Sequence, residues 1–257
     1  MLMRRVIVCL DVEGSRVVKG VGFKDLRNVG DPVTLARQYE EDGADEIVFL
    51  DISASAEARN TMWETVRRTA EQLFVPLTLG GGIRSAEDVA RALRAGADKV
   101  SINTAAVERP EVLTESADRF GRQCVVASID AKRSPNGSHW EVYVRGGRDA
   151  TGRDAVAWAT ECATRGAGEI LLTSIDRDGT RSGYDVELTR AVADRVSIPV
   201  IASGGAGSSS DVATALLEGH ADAALVAGIV HDGDTRVHDI KLLLAERGIP
   251  VRRATER

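Results

Sequence analysis

The 257-residue sequence contains few cysteines and histidines, no excess of positive charge and no long apolar run. Its three cysteines, Cys9, Cys124 and Cys162, form no C-x-x-C pair, so neither a disulfide framework nor a zinc site is indicated. The four histidines show no H-E-x-x-H arrangement, which argues against metal catalysis. We therefore expect neither a metal nor another cofactor.

Acidic residues outnumber basic residues by 39 to 33, which gives a net charge of −6. Because no basic field is present, neither nucleic acid nor an anionic membrane is an expected partner. No stretch approaches the roughly 18 uncharged apolar residues of a transmembrane helix, and the opening MLMRRVIVCLDV has no small-residue cleavage site. These absences lead us to expect a cytoplasmic globular protein.

Short runs rich in valine, isoleucine and leucine alternate with longer stretches of helical apolar spacing. The runs predict strands at 4–11, 45–51, 76–79, 98–102, 123–130, 169–174, 199–203 and 223–227. Nearly continuous apolar strands, each followed by a helix, indicate a parallel sheet that is buried on both faces. Eight such units favour a single (β/α)8 TIM barrel, spanning residues 1–257, over an open doubly wound sheet.

The two halves of the sequence resemble each other. GADEIVFLDISAS at 43–55 resembles GAGEILLTSIDRD at 166–178, and LGGGIRS at 79–85 resembles ASGGAGS at 202–208. VIVCLDV at 6–12 and GADKVSINTA at 96–105 likewise have counterparts at 125–131 and 220–229. The repeat predicts a barrel assembled from two homologous half-barrels, at about 1–122 and 123–257.

Two aspartates end equivalent strands of the halves. Asp11 closes the first predicted strand and Asp130 closes the fifth. In a barrel of this kind the active face lies at the carboxyl ends of the strands, so the repeat places two carboxylates at one mouth. Carboxylates in different surroundings can divide the roles of general acid and base. The alternative is that each aspartate only caps a loop or pairs with an arginine.

Two glycine-rich loops occur in register, at Gly80-Gly81-Gly82 and at Gly204-Gly205 after Ser203. Glycine lets the backbone approach an anion closely, and the helix that follows directs N–H groups toward it. Neighbouring strand ends carry Asn103 and Thr104 in one half and Ala227 and Gly228 in the other. We interpret the loops as two phosphate sites for a substrate with a phosphate at each end.

The segment 12–30 after the first strand is a long loop with four glycines. Long βα loops in compact domains are commonly functional or mobile, so Lys19 and Phe23 are candidates for a lid over bound substrate. The alternative is a surface hairpin without a role in the reaction.

Four charged residues begin strands at the opposite, amino-terminal end of the barrel: Arg5, Glu46, Lys99 and Glu169. Because side chains alternate across a strand, Arg5 shares a side with Asp11, and Glu169 shares a side with Thr173. Two cations and two anions would then close the barrel floor as an ion-pair cluster. This cluster is either a gate for something that passes through the floor or a structural plug.

Eight segments of the chain resemble the cyclase subunit of imidazole glycerol phosphate synthase, an enzyme of histidine biosynthesis. The resemblance runs from about residue 3 to 252, and its segments are CLDV at 9–12, VVKG at 17–20, FLDISAS at 49–55, GGGIRS at 80–85, DKVSINTAAV at 98–107, SIDAKR at 128–133, GAGEILLTSIDRDGTRSGYD at 166–185 and IASGGAG at 201–207.

The resemblance implies a barrel enzyme that takes ammonia from a glutaminase subunit. It closes the imidazole ring on an open-chain formimino carboxamide ribonucleotide with two phosphates, giving imidazole glycerol phosphate and aminoimidazole carboxamide ribonucleotide. The cysteines of this chain have no adjacent histidine arrangement, so it contains no evident glutaminase of its own. We expect a heterodimer with the glutaminase on the amino-terminal face and ammonia passing through the barrel, past Thr78 and Ser101.

The resemblance also implies roles for individual residues. Asp11 and Asp130 match the catalytic aspartates of the family. The matching ligand-contacting positions are Gly82, Asn103, Thr104, Asp178, Gly179, Ser203, Gly205 and Ala227. We add Lys19 and Thr173 to the substrate-binding set. Gly228 stands where the family leads us to expect a serine, which leaves only a backbone N–H for phosphate contact.

Two other functions fit parts of this pattern. The sister isomerase that makes the cyclase substrate shares the fold, the paired aspartates and the two phosphate sites. A non-catalytic barrel that binds a phosphorylated ligand would keep the glycine loops without needing paired carboxylates. SIDRDGTRSGYD at 174–185 and the four floor charges favour the cyclase.

Overall fold

The computed structural model describes residues 2–21, 24–52 and 56–252. Its strands are β1 (Arg5–Glu13), β2 (Arg16–Val21), β3 (Lys24–Gly30), β4 (Glu46–Asp51), β5 (Leu77–Gly80), β6 (Lys99–Ile102), β7 (Val125–Arg133), β8 (Trp140–Val144), β9 (Asp149–Asp154), β10 (Glu169–Ser174), β11 (Val200–Ser203) and β12 (Ala223–Val226). Its α-helices are α1 (Pro32–Glu41), α2 (Ala56–Ala70), α3 (Ala86–Arg94), α4 (Thr104–Glu108), α5 (Glu111–Phe120), α6 (Ala155–Thr164), α7 (Val186–Ala193), α8 (Ser209–Leu217), α9 (Gly228–His231) and α10 (Val237–Glu246).

Eight parallel strands within the described residues form a closed barrel. The order is β1, β4, β5, β6, β7, β10, β11 and β12, and β12 pairs back onto β1 through Arg5 and Ala223. Each predicted strand run corresponds to one of these strands, and the predicted (β/α)8 fold is confirmed. None of the helices in the described ranges is long and apolar enough to cross a membrane.

The apolar residues of six barrel strands, all except β5 and β6, divide between two clusters. Ile7, Val48, Leu171 and Ile201 belong to a small cluster inside the barrel. Their strand neighbours, such as Val8 and Ile47, pack outward with the helices in the large core. Strands buried on both faces explain why the sequence shows continuous apolar runs in place of an alternating pattern.

Helix starts follow the local signals of the sequence. The Asp31 carboxylate accepts a hydrogen bond from the Thr34 N–H ahead of Pro32, as the N-cap pattern predicts. Ser85 caps α3 by accepting from the Asp88 N–H. These caps fix the first turns of α1 and α3.

Two antiparallel hairpins extend the barrel at its mouth. In the first hairpin, β1 pairs with β2 and Asp11 lies opposite Val18. β2 in turn pairs with β3, so much of the predicted loop 12–30 is strand. Phe23 lies outside the described residues. A second hairpin continues β7 into β8 and β9. The Asn136-Gly137 dipeptide and the alternating run Trp140–Val144 are the sequence signals for it.

The two halves also share backbone geometry in detail. Gly81 and Gly204 both have a φ of +87°. A Cβ would lie 2.2 Å from the Asp51 carbonyl oxygen at Gly81 and 2.7 Å from the Ser174 carbonyl oxygen at Gly204, so both positions require glycine. Asn103 and Ala227, the residues that precede α4 and α9, share unusual backbone angles: φ −112° and ψ −91°, against φ −141° and ψ −79°.

Candidate active site at the barrel mouth

Asp11 and Asp130 lie on inward-facing positions at the carboxyl ends of opposite strands. Asp11 is on β1, two residues beyond the interior residue Cys9. Asp130 is on β7, where it lies in register with Thr173 of β10, and Thr173 in turn lies beside Ser203 of β11. The twofold repeat of the strands thus places two carboxylates at one mouth.

Both carboxylates titrate close to neutral pH. Burial, and then the neighbouring Asp178 carboxylate, raise the pKa of Asp11 to about 6. Burial and Asp178 raise the pKa of Asp130 to about 6, against a hydrogen bond from Asn103 that lowers it. A general acid or base is most effective when its pKa is near the working pH, so both side chains suit proton transfer.

Asp178 lies close enough to influence both aspartates. It follows β10, and its backbone N–H donates to the Ser174 carbonyl oxygen at 2.9 Å. Desolvation raises the pKa of the Asp178 carboxyl, while the Gly179 N–H, a hydrogen-bond donor, partly offsets this. The negative charge of Asp178 therefore disfavours ionisation of both Asp11 and Asp130.

Asn103, which neighbours the Gly80–Gly82 loop, is hydrogen-bonded to Asp130. Its Nδ2 donates to Asp130 Oδ2 at 2.9 Å. Its Oδ1 is buried and accepts no hydrogen bond from the described residues. A buried acceptor without a donor is costly, so this oxygen is well suited to receive an N–H or O–H of a substrate.

Replacing Asn103 by alanine should raise the pKa of Asp130 above its value of about 6. The hydrogen bond from Asn103 stabilises the ionised carboxylate, and the variant lacks this bond. Alanine suits the backbone, since Ala227 adopts similar angles at the equivalent position. Carboxyl ¹³C NMR titration measures the change, and Asp11, which receives no bond from Asn103, is the internal reference. Equal movement of both carboxyls, or of neither, would contradict this assignment.

The two glycine loops end in identical caps. In one half, Asp88 Oδ2 accepts from the Arg84 N–H at 3.0 Å and from Ser85 Oγ at 3.1 Å. In the other, Asp211 Oδ2 accepts from the Gly207 N–H at 3.1 Å and from Ser208 Oγ at 2.9 Å. The aspartates therefore hold both loops in the same form, with Gly82 and Gly205 at equivalent places.

The remaining candidate residues are distributed around the same mouth. Thr104 begins α4, Asp178 and Gly179 follow β10, Ser203 ends β11, Ala227 follows β12 and Gly228 begins α9. Lys19 is a residue of β2, but its side chain is outside the described part of the structure. All of these backbones lie at the carboxyl ends of barrel strands or on the hairpin that extends them.

The β8–β9 turn contributes a contact to the site that the sequence did not predict. The Arg145 N–H donates to Thr104 Oγ1 at 3.0 Å. Because the threonine oxygen accepts this bond, its own proton remains available for donation to an anion. The turn was predictable from the Gly146-Gly147 pair, but its contact with Thr104 depends on tertiary structure.

Arg5, Glu46, Lys99 and Glu169 form a closed ring of ion pairs at the barrel floor. Lys99 Nζ lies 2.8 Å from Glu46 Oε2 and 2.9 Å from Glu169 Oε2. Arg5 pairs with Glu46 at 3.0 Å and also with Glu169. Burial disfavours the Arg5 cation, but the two glutamates outweigh this effect and raise its pKa. The ring is charged and nearly closed to solvent at its two anions.

Thr78 and Ser101 are buried above this ring. Thr78 Oγ1 donates to Glu46 Oε1 at 2.6 Å. Between the ring and the mouth lie apolar side chains of the inner cluster, including Ile7, Cys9 and Leu225. In the described residues no group of three or more histidine, cysteine, aspartate or glutamate side chains is arranged to hold a metal ion.

Known proteins resemble this chain along its whole length. A family model described as histidine biosynthesis protein matches residues 5–236. The imidazole glycerol phosphate synthase subunit HisF of Myxococcus xanthus is 68% identical over 255 residues, covering 99% of this chain and all of the relative. The subunit of the same name from Nostoc sp. is 57% identical over 258 residues, covering 100% of both chains. The chain belongs to the histidine biosynthesis protein family that includes these HisF subunits of imidazole glycerol phosphate synthase.

Proposed function

We propose that this chain is the cyclase subunit of an imidazole glycerol phosphate synthase. It uses ammonia to convert the phosphoribulosyl-formimino aminoimidazole carboxamide ribonucleotide into imidazole glycerol phosphate and aminoimidazole carboxamide ribonucleotide. The observation that carries this proposal is the 68% identity with a HisF subunit over 99% of the chain. The barrel mouth, with two carboxyls whose pKa is about 6, fits the chemistry.

Asp11 and Asp130 are the proposed acid and base. Ring closure requires protons to be removed from nitrogen and delivered to departing groups, and two carboxyls with pKa values near 6 exist in both protonation states close to neutral pH. Asn103 tunes one of them through its bond to Asp130. No metal or cofactor has a role in this scheme.

The two glycine loops are the proposed phosphate sites. Gly82, Asn103 and Thr104 belong to one, and Ser203, Gly205, Ala227 and Gly228 belong to the other. Their equivalent caps and backbone angles support two similar subsites on opposite sides of the aspartates. Lys19, Thr173, Asp178 and Gly179 complete the proposed substrate contacts. A substrate phosphorylated at both ends would span the mouth and place its reacting centre between the carboxylates.

The proposed partner is a glutaminase subunit on the amino-terminal face. The relatives are named as subunits, which implies a second chain. On this face Phe74 is 96% exposed and Leu2 is 87% exposed, and a cleft of about 470 Å³ is lined by Leu2, Leu217 and Ile249. Apolar side chains exposed around the ion-pair ring suit a protein interface. Ammonia released there would enter through the ring, and Arg5, Glu46, Lys99 and Glu169 are its proposed gate.

We take residues 1–257 as one barrel domain of two half-barrels, and the cytoplasm as its location.

Gly228→Ser should strengthen substrate binding. The family resemblance suggests a serine at this position, the first residue of α9, and its hydroxyl could donate to a phosphate oxygen. A hydrogen bond to a charged group contributes about 1.5 kcal/mol or more, so KM should fall roughly tenfold with kcat little changed. Steady-state kinetics measure this, with Ala245→Ser, which adds a hydroxyl at an exposed position of α10, as a control. An unchanged or higher KM would argue against a phosphate at Gly228.

The direct test of the proposed function is turnover by the purified chain. With the formimino ribonucleotide and ammonium salt, aminoimidazole carboxamide ribonucleotide should be released, and none should appear without ammonia. Isomerisation of the precursor aminoaldose in place of this reaction would identify the sister enzyme. Binding of the ribonucleotide without turnover would identify a non-catalytic barrel.

A further inference from the structure

A tyrosine and a histidine outside the barrel wall connect to the strand that carries Asp11. The hydroxyl of Tyr39, on α1, lies 2.6 Å from His231 Nδ1, on α9. His231 Nε2 lies 2.9 Å from the carbonyl oxygen of Cys9, on β1. The two rings are tilted by 54° with centroids 5.4 Å apart. Cys9 is two residues before Asp11, so this chain of contacts ends close to the carboxylate.

The contact falls in a gap on one edge of β1, between the end of its pairing with β12 at Val8 and the start of its pairing with β2 at Asp11. β1 and β12 are in register from Arg5 with Ala223 to Val8 with Val226, and β12 ends there. The next residue of β1, Cys9, has a carbonyl oxygen that receives its hydrogen bond from an imidazole in place of a strand N–H. His231 therefore extends the ladder by one step along the edge of β1 that leads to Asp11.

The hydrogen bonds determine the tautomer of His231. A carbonyl oxygen can only accept, so Nε2 carries the proton that is donated to Cys9. In the neutral imidazole Nδ1 is then the acceptor, and the Tyr39 hydroxyl is the donor. Burial, with the nearby Asp42 and Asp232, raises the pKa of Tyr39 to about 12, so this hydroxyl keeps its proton. Tyr39 thus orients the ring and holds the Nε2 proton toward β1.

We propose that His231, oriented by Tyr39, is a positioning residue that fixes the mouth end of β1 and so the placement of Asp11. The proposal deepens the proposed function, since it rests on Asp11 acting in the reaction. The hydrogen bond that links His231 to β1 is the one to the Cys9 carbonyl oxygen, two residues before Asp11. Displacement of a reacting group by about 1 Å can reduce turnover by up to about 100-fold.

The test compares His231→Leu, which removes both hydrogen bonds, with His231→Gln, whose amide N–H can still donate to Cys9. With the formimino ribonucleotide and ammonium salt, His231→Leu should lower kcat by about tenfold or more, with KM within about twofold. His231→Gln should recover most of this loss, and Tyr39→Phe should fall between the two. His238→Leu, on α10, should leave kcat unchanged.

Carboxyl ¹³C titration of the free protein supplies a readout that does not depend on turnover. In His231→Leu, water should reach a displaced Asp11 and lower its pKa from about 6 toward its ordinary value, while Asp130 keeps its own. An unchanged Asp11 titration, or a lower melting temperature with normal kcat, would overturn the proposal. If Asp11→Asn retains full activity, the catalytic assignment of Asp11 fails, whereas a shifted titration in His231→Leu would still support the positioning role.

Discussion

Replacing Asp11 or Asp130 by asparagine should lower ammonia-dependent kcat by roughly 10²–10⁴-fold, the usual contribution of proton transfer. Asparagine keeps the size and polarity of the side chain but cannot exchange a proton, so KM should change little. Because the pKa of each carboxyl is about 6, the parent enzyme should also lose activity below pH 6, where the required base becomes protonated. The measurement is steady-state kinetics at a fixed concentration of free ammonia.

Asp239→Asn is the matched control for these variants. Asp239 is exposed in the first turn of α10, away from the mouth, and its replacement should leave kcat unchanged. A double variant of Asp11 and Asp130 that turns over at near the parent rate would exclude both residues as acid and base.

Replacing Lys99 by methionine should separate the glutamine-dependent reaction from the ammonia-dependent one. Lys99 contacts both buried glutamates, and without it Arg5 alone balances two anions. Breaking a buried ion pair lowers the free energy of unfolding by about 3–5 kcal/mol. Because Lys99 is partly exposed, we expect its replacement to lower the free energy of unfolding by an amount near the smaller value. In the proposed scheme, ammonia from a partner crosses this ring, whereas added ammonium salt supplies the mouth directly. Glutamine-dependent kcat should therefore fall by the larger factor in the complex with a glutaminase subunit.

The double variant Lys99→Met with Glu169→Gln isolates gating from stability. It removes one cation and one anion, so the remaining Arg5 and Glu46 still pair at 3.0 Å and the thermal midpoint should recover. If the ring is the gate, glutamine-dependent turnover stays impaired although the fold is restored. Equal losses in the two assays, or a partner docked at the mouth, would refute passage through the floor.

Much of this architecture follows from local sequence patterns. The barrel strands could be predicted because both of their faces are apolar. Val8 and Ile47 face outward toward the helices, a face that would carry polar residues in a sheet exposed to solvent. The floor ring could be predicted from the alternation of side chains along strands. Arg5 and Asp11 are separated by an even number of residues on one strand, so both side chains point to the same face. The register of the repeat placed Asp11 and Asp130 at equivalent strand ends.

Other features depend on contacts that sequence spacing does not encode. Asp178 raises the pKa of both aspartates only because the loop after β10 folds over the mouth. His231 is 222 positions from Cys9, and no local pattern indicates that its ring completes the edge of β1. The β8–β9 turn reaches Thr104 across 41 positions. Each of these contacts joins separate βα units, so it becomes visible only when the order and closure of the strands are known.

The pairing of the first barrel strand with the last has a consequence for synthesis on the ribosome. Arg4, beside β1, pairs with Asp222, beside β12, although they are 218 positions apart. At about 5–20 residues per second, roughly 10–45 s separate the emergence of the two residues. During that interval β1 can pair with β4 and, from Asp11 onward, with β2, but the part of its edge that β12 covers, from Arg5 to Val8, has no partner. β6 forms a second open edge until β7 is made. The nascent amino-terminal half is therefore an incomplete sheet that is open to association with other chains, and both edges close only as the second half folds against it.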